Sequence, residues 1–436
     1  MDQLNGSRRE FLATTGMVAG AALAAQAGLA TSAYAQGDDV IRIGLVGSGG
    51  RGTGAARDAL STDHNVKLVA VGDVFEDRAN RAVGSIKGGL GDKGSKVDVA
   101  PDKVFFGFDA FKKVIDSGVD LVILATPPGF RPQQFEYAIN AGKHVFMEKP
   151  VATDAPGVRQ VLAASKLAKE KNLKVGCGLQ RHHDIGYIET INRIKDGQIG
   201  DVIAMRAYWN NAGVWEPPLK RENAKSEMEY QMRNWYYYNW LCGDHIVEQH
   251  IHNLDVCNWV KGDYPVRANG MGGRQVRVDK RYGEIYDHHC VEFEYKDGSR
   301  TYSQCRHIPN TWNQVSEFVH GSKGTSNPSG SITAAGNDWR YRGPRPNPYV
   351  VEHDDLLKAI KGGVAYNEAD NGAFSTMTSI LGRMATYSGK VIEWNDALNS
   401  QISLFPKELS WDADMPVKPD SEGNYPIATP GVTKVV

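Results

Sequence analysis

The sequence predicts an α/β protein: a doubly wound parallel sheet in the N-terminal half, then a C-terminal α+β domain built on an open, largely antiparallel sheet. Three observations carry this. A short β-type run, Ile41-Arg42-Ile43-Gly44-Leu45-Val46, is followed at once by the glycine-rich turn Gly47-Ser48-Gly49-Gly50-Arg51-Gly52 and a helical stretch. Apolar strands then alternate with helical segments as far as Gln180, the pattern of a parallel sheet with crossover helices. Beyond that point the runs alternate between polar and apolar residues, as strands with one solvated face do.

The first turn defines a ligand. Glycines let backbone approach a pyrophosphate, and the N-terminus of the helix opening near Thr53 faces its negative charge. A second strand, Val66 to Gly72, ends at Asp73, about twenty residues past the last motif glycine, where the Rossmann fingerprint places an acid for the ribose hydroxyls. That acid repels a 2′-phosphate, so NAD is expected rather than NADP. Leu121 to Ala125 reads as a buried strand ending at Thr126. Lys143 to Met147 reads as another, ending in Glu148-Lys149-Pro150, and Leu173 to Gly178 as the last. Helices are expected up to Ala141 and over Val158 to Lys171. Ligands of such sheets bind at the carboxyl ends of the strands, so Thr126, Glu148 and Lys149 join Gly47 to Gly52 and Asp73 as cofactor-site candidates.

In the second half, strands are expected over Asp201 to Tyr208, Ala268 to Val278, Cys290 to Tyr295 and Arg300 to Cys305. The tail after Trp394 is rich in Pro, Asp and Ser and is expected to wrap the surface or meet another subunit. The organisation read from the chain is a signal over 1–35, a dinucleotide-binding domain over 36–180, a substrate and oligomerisation domain over 181–395, and a tail over 396–436. A length of 436 residues suits two domains of ordinary size.

The N-terminus carries Ser7-Arg8-Arg9-Glu10-Phe11-Leu12, an Ala- and Gly-rich apolar run from Met17 to Ala30, and Ala33-Tyr34-Ala35. This is the layout of a twin-arginine (Tat) export signal with an A-x-A cleavage site, and it places the mature start near Gln36. The Tat machinery carries folded proteins, so a cofactor can be loaded before export; a periplasmic location without a stable membrane anchor is expected. A formal net charge of -1 with 41% hydrophobic and 23% charged residues provides no sequence-wide handle for nucleic acid. The five cysteines, Cys177, Cys242, Cys257, Cys290 and Cys305, are widely spaced and read as small hydrophobes rather than a zinc ribbon or disulfide scaffold.

The order Gly47 to Gly52, then Glu148-Lys149-Pro150, then Gly243-Asp244-His245-Ile246-Val247-Glu248-Gln249-His250-Ile251-His252-Asn253-Leu254-Asp255 resembles the Gfo/Idh/MocA oxidoreductases over essentially the whole mature chain. The resemblance implies a second domain whose open sheet also forms oligomer contacts. It implies an acid and a histidine four residues apart on the first long helix of that domain, with Asp three residues further on. Here Glu248 stands where the family has Asp, and His252 and Asp255 match.

On an uninterrupted helix His245, Glu248 and His252 share a stripe while His250 points elsewhere. Oxidising a secondary alcohol requires a base, a cation for the developing alkoxide and a hydride acceptor. His252 fits the first role because imidazole exchanges protons near neutrality, Lys149 fits the second, and the nicotinamide supplies the third. His245 and Arg181 are further substrate-contact candidates. A metal site built from His245, Glu248, His250 and His252 is not expected, because the spacing is not H-E-x-x-H. Asp287-His288-His289 could supply a further ligand or substrate contact, but a solvated turn is the reading preferred. The aromatic run Trp235 to Trp240 suits either core packing or sugar rings.

The function expected is a hydride transfer between NAD and a secondary alcohol or ketone of a sugar, polyol or related hydroxy compound. Two other readings stand beside it: an NAD-dependent glycosidase working through transient oxidation at C3, as a branch resembling this family does, and a non-catalytic sugar-binding protein of the same fold.

Overall fold

A computed structural model describes residues 39–436. The expected export signal with Arg8, Arg9, Ala33 and Ala35, and the expected mature start at Gln36, lie outside the described residues. Strands β1 (Ile41–Val46), β2 (Val66–Asp73), β3 (Val104–Phe106), β4 (Leu121–Leu124), β5 (His144–Met147) and β6 (Val175–Cys177) form one sheet in the order β3-β2-β1-β4-β5-β6, with every pairing parallel. The direction of winding reverses between β1 and β4, which opens a crevice beyond their carboxyl ends. Helix α1 (Gly50–Ser61) leaves that crevice directly after β1.

Helix α2 (Ala155–Glu170) starts where the Asp154 side chain accepts a hydrogen bond of 2.8 Å from the Gly157 amide. Its Val158, Val161, Ala164 and Ala168 face the core.

The second sheet has nine strands: β7 (Val202–Asn211), β8 (Arg267–Gly273), β9 (His288–Glu294), β10 (Arg300–His307), β11 (Gln314–Gly321), β12 (Gly324–Asn327), β13 (Ser331–Ala334), β14 (Trp339–Arg340) and β15 (Ile392–Glu393). Only β7 and β10 pair in parallel; the remaining pairs are antiparallel. The strand expected over Ala268 to Val278 stops at Gly273, because the next amides turn away to the buried Asp287 carboxylate, which accepts from Gln275, Val276 and Arg277 at 2.7–2.9 Å. Asp287-His288-His289 is therefore no solvated turn: Asp287 and His289 are buried, and only His288 reaches partly outward.

Two consecutive helices, α3 (His245–Glu248) and α4 (Ile251–Lys261), pack on the second sheet, α3 against β10 and α4 against β7 and β11. Helix α5 (Pro348–Gly362) returns to the first sheet, where Leu356, Leu357 and Ile360 pack with Ile41, Ile43 and Phe146. Helix α6 (Ala369–Ser388), almost wholly buried, touches both α2 and β8. Chain after residue 340 thus serves both sheets, binding them into one packed unit.

The tail folds onto its own chain. Leu404, Phe405, Met415, Val417 and Tyr425 pack among Phe75, Phe130, Tyr238 and Trp240, and the more exposed Trp411 lies against Phe75 and Phe108, a burial that the Pro- and Asp-rich composition does not announce. All five cysteines are free, and four are buried. Among the described residues, no helix is long and apolar enough to cross a membrane.

Candidate active site

The crevice continues into a cavity of about 660 Å³ between the carboxyl ends of the first sheet and the second sheet. Its floor is the turn after β1. Gly47 has φ +90°, and a Cβ there would stand 2.5 Å from the Thr126 amide nitrogen. A Cβ on Gly52 would fall 1.8 Å from the Gly47 carbonyl oxygen. A Cβ on Gly49 or Gly50 meets nothing within 4 Å, so these two glycines leave space at the helix N-terminus where diphosphate oxygens are received.

Asp73, at the end of β2, is buried, and both its oxygens are held. Oδ2 accepts from the Ser48 amide at 2.7 Å and Oδ1 from the Phe75 amide at 3.0 Å. Burial raises its pKa, and those two amides oppose the rise. Each carboxylate oxygen keeps a second lone pair for a ribose hydroxyl. The open cradle and this acid fit a dinucleotide without a 2′-phosphate.

Arg51 lines the cavity, but its guanidinium is engaged with Glu148 and Asp58, each at 2.8 Å, and lies 5.0 Å from the Tyr349 ring centre. Thr126 Oγ1 donates to Gln134 at 2.7 Å. The buried Arg131 donates to the carbonyls of Leu124 and Thr126 at 2.7 and 2.8 Å, holding the end of β4; burial brings its pKa down to about 10.

Lys149 and Glu248 meet across the domains. Lys149 Nζ donates to the Glu248 carbonyl at 2.5 Å and to its Oε1 at 3.2 Å. Burial raises the Glu248 pKa against the pull of Lys149. His252 lines the same cavity, its ring stacked on Trp209 with centres 5.9 Å apart. Burial, then Lys149 and Arg181, hold its pKa well below the ordinary histidine value. Its Nδ1 is buried without a partner, which leaves Nε2 toward the cavity.

His245 does not join them. The helix breaks at Gln249, and the His250 amide reaches back five residues to the His245 carbonyl. The break resets the helical phase, so the stripe drawn through an uninterrupted helix does not exist. His245 instead faces His289 and His307 in the core. His250 also points elsewhere, to Ser303 at 2.7 Å. Asp255 accepts from His182, Ser375 and Asn371 at 2.7–3.1 Å rather than serving His252. Arg181 does line the cavity, ion-paired with the buried Glu317.

Comparison with known proteins gives the same outline. Residues 41–179 match the family model described as "Oxidoreductase family, NAD-binding Rossmann fold", and residues 187–327 match the GFO/IDH/MocA C-terminal domain. The chain belongs to the Gfo/Idh/MocA oxidoreductase family. As such it is an NAD-dependent oxidoreductase acting on CH–OH groups. The inositol 2-dehydrogenase of Rhizobium meliloti (strain 1021) is 27% identical over 352 residues, covering 77% of this chain and 94% of the relative.

Among solved structures, the fold of this Gfo/Idh/MocA chain is shared with the aldose-aldose oxidoreductase of Caulobacter crescentus complexed with glycerol (TM-score 0.64, 20% identity, 81% of this chain and 100% of that one). It is also shared with the scyllo-inositol dehydrogenase of Lactobacillus casei with bound NAD(H) and scyllo-inositol (TM-score 0.62, 20% identity, 82% and 100%).

Sequence reasoning on this family member missed Arg131, Trp209, Trp215 and Tyr349, all of which line the cavity. Arg131 carried one usable signal, a charged residue at the start of a crossover helix. The others sit on elements whose facing only the second sheet fixes. Of the aromatic run, Trp235 and Tyr236 reach the cavity, while Tyr237, Tyr238 and Trp240 are core.

Proposed function

We propose that this chain is a dehydrogenase of a cyclic polyol or sugar, in which His252 is the proton acceptor and Lys149 the group that steadies the reacting oxygen. The observation that carries the reading is the meeting of Lys149, Glu248 and His252 at the inner end of the dinucleotide cavity. An ammonium has three N–H donors. Two are taken by Glu248, which aims the third at an oxygen in the cavity. Bound NAD supplies the hydride acceptor. His252, neutral because burial disfavours its imidazolium, takes the hydroxyl proton on Nε2, while Lys149 Nζ donates to the same oxygen as negative charge grows on it.

Gly47 to Gly52 and Asp73 hold the dinucleotide, with Thr126 and Glu148 bordering it. Arg181, fixed by Glu317, borders the substrate end, and the faces of Trp209 and Trp235 suit the apolar face of a pyranose or cyclitol ring. The inositol dehydrogenases among the relatives favour a cyclitol as the first substrate to try. Export through the Tat pathway to the periplasm, supported by Arg8-Arg9 and Ala33-Tyr34-Ala35, and assembly as a homo-oligomer belong to the same proposal.

The test is direct. Purified protein is denatured and the supernatant assayed for dinucleotide; intact protein with NAD is then screened for reduced-nicotinamide absorbance with myo-inositol, scyllo-inositol and common aldoses. Reduction with one of these and release or binding of NAD are expected. Failure to bind NAD, or no redox turnover with any cyclitol or sugar, overturns the reading.

A further inference from the structure

Just before Glu248, outside the cavity, lies a group of buried imidazoles that the proposed reaction does not use. Asp244 opens helix α3 at φ 73° and ψ 161°, a positive φ rare outside glycine. It is fully buried, as are His245 and His289. Asp244 Oδ2 accepts from the Tyr387 hydroxyl at 2.5 Å and the Tyr286 amide at 2.9 Å. Its Oδ1 accepts from the His245 amide at 2.5 Å and also faces two ring nitrogens, His245 Nδ1 at 2.9 Å and His289 Nε2 at 3.3 Å. Neither ring nitrogen has a directed hydrogen bond, and His245 Nε2 has no partner either.

The tautomer of His289 follows from its other side. His289 Nδ1 lies 2.9 Å from Thr386 Oγ1, and that hydroxyl sits on α6 within reach of the Gly382 and Arg383 carbonyls at 3.2 and 3.0 Å. When the threonine gives its proton to one of these helical carbonyls, Thr386 Oγ1 is left as acceptor and His289 Nδ1 carries the hydrogen. In a neutral ring Nε2 then presents a lone pair to a carboxylate oxygen in a buried place.

A positive charge between them removes the conflict. A proton on Nε2 would make an imidazolium in a fully buried place beside His245, and burial disfavours that form. A metal ion uses the lone pairs as they stand. The candidate ligand atoms of the three residues all lie within 4.8 Å of one another. Asp244 Oδ1 is 2.9 Å from His245 Nδ1 and 3.3 Å from His289 Nε2, close to the edge of a tetrahedron of ligands roughly 2.0 Å from a central zinc, and binding requires the two imidazoles to close slightly on the ion. The partner of Nδ1–H, Thr386 Oγ1, is the outer hydrogen bond that metal-bound histidines normally make.

We propose that Asp244, His245 and His289 bind a divalent transition-metal ion of the zinc class as a structural centre. Two imidazoles and one carboxylate suit zinc rather than the oxygen-seeking Mg²⁺ or Ca²⁺. None of the three residues borders the dinucleotide cavity, so the ion pins the strained Asp244 turn from which α3 carries Glu248 toward Lys149. His289, expected in a solvated turn, enters from β9, far away in sequence.

The test uses the full chain, purified without metal-affinity resin or chelator and dialysed against metal-free buffer, with zinc measured by mass spectrometry. About one equivalent per chain is expected. Stripping with chelator and reloading with Co²⁺ should give the visible absorption of Co²⁺ bound by nitrogen and oxygen ligands. His289→Phe, which keeps ring volume without a nitrogen, should lower bound zinc more than tenfold, and His245→Asn should do the same. NAD binding by His289→Phe shows that the variant is folded. Wild-type protein that holds no zinc, either as purified or after zinc loading, overturns the proposal, as does zinc content unchanged in both variants.

Discussion

Lys149 Nζ bonds both the main-chain oxygen and the side-chain Oε1 of Glu248, at 2.5 and 3.2 Å. A residue at the end of β5 is thereby oriented by a residue of the second domain. The carbonyl half of this grip is independent of side-chain identity, whereas the carboxylate half is where the chain departs from the family's Asp. The longer side chain reaches Lys149.

Removing the two partners should therefore have unequal effects. Lys149→Ala loses the donor to the reacting oxygen, and kcat should fall about 10²- to 10³-fold with little change in NAD affinity. Glu248→Gln keeps the carbonyl contact and an oxygen acceptor, so kcat should fall only about tenfold. Steady-state kinetics with titrated NAD separate the two; a larger loss in Glu248→Gln than in Lys149→Ala would show that Glu248 acts other than through Lys149.

The glycines of the first turn divide into two classes. A Cβ at Gly52 would overlap the Gly47 carbonyl at 1.8 Å, whereas one at Gly49 points into open space. Gly52→Ala should lower the melting temperature of the cofactor-free protein, while Gly49→Ala should leave it within about 2 °C and weaken NAD binding at least tenfold. Thermal melts with and without NAD check both.

Five of the six strands of the first sheet were legible because they are apolar runs set apart by turns, while β3, only Val104–Phe106, was missed; Asp73, Thr126 and Lys149 follow from the rule that ligands gather at strand ends. The second sheet was less so. Strands β12 and β13 are short and rich in Gly, Ser and Thr, β14 has only Trp339 and Arg340, and β11 joins the sheet through β7, distant in sequence. His245 was misplaced because helical phase was carried through Gln249, where the backbone breaks; nothing in the local residue types marks that break. His289 was read as solvated because its burial comes from α6, packed from about a hundred residues downstream.

Asp73 has a double duty that a variant can expose. Asp73→Ala removes acceptors from the Ser48 and Phe75 amides and should cost about 1–3 kcal/mol of stability together with NAD affinity. Asp73→Asn retains one acceptor oxygen, should cost less stability, and removes the charge that repels a 2′-phosphate. The ratio of NAD to NADP turnover should shift toward NADP by at least tenfold in Asp73→Asn; an unchanged ratio would place discrimination elsewhere.

Stability should depend on pH from both sides. Burial lowers His250 and His353 to about 3 and His144 to about 4. The unfolded chain, with histidine near 6.5, binds more protons than the native state below that pH, so stability is full above 6.5 and falls as pH drops toward the folded values. Each of these groups should cost about 1 kcal/mol by pH 5.5, before ordinary carboxylates titrate. His183 has the opposite sign: although burial opposes it, hydrogen bonds to Asp355 and Glu368 raise it to about 9, so its contribution is present below 6.5 and is lost as pH rises through 9. Melting temperature should thus peak between about 6.5 and 9. His353 isolates one component, because its ring lies 4.0 Å from Phe146 with neither nitrogen partnered. His353→Phe keeps that packing without a titrating group, so it should leave the alkaline limb unchanged and make the acid limb shallower; an acid limb as steep as the wild type would show that His353 is not protonated on unfolding in that range.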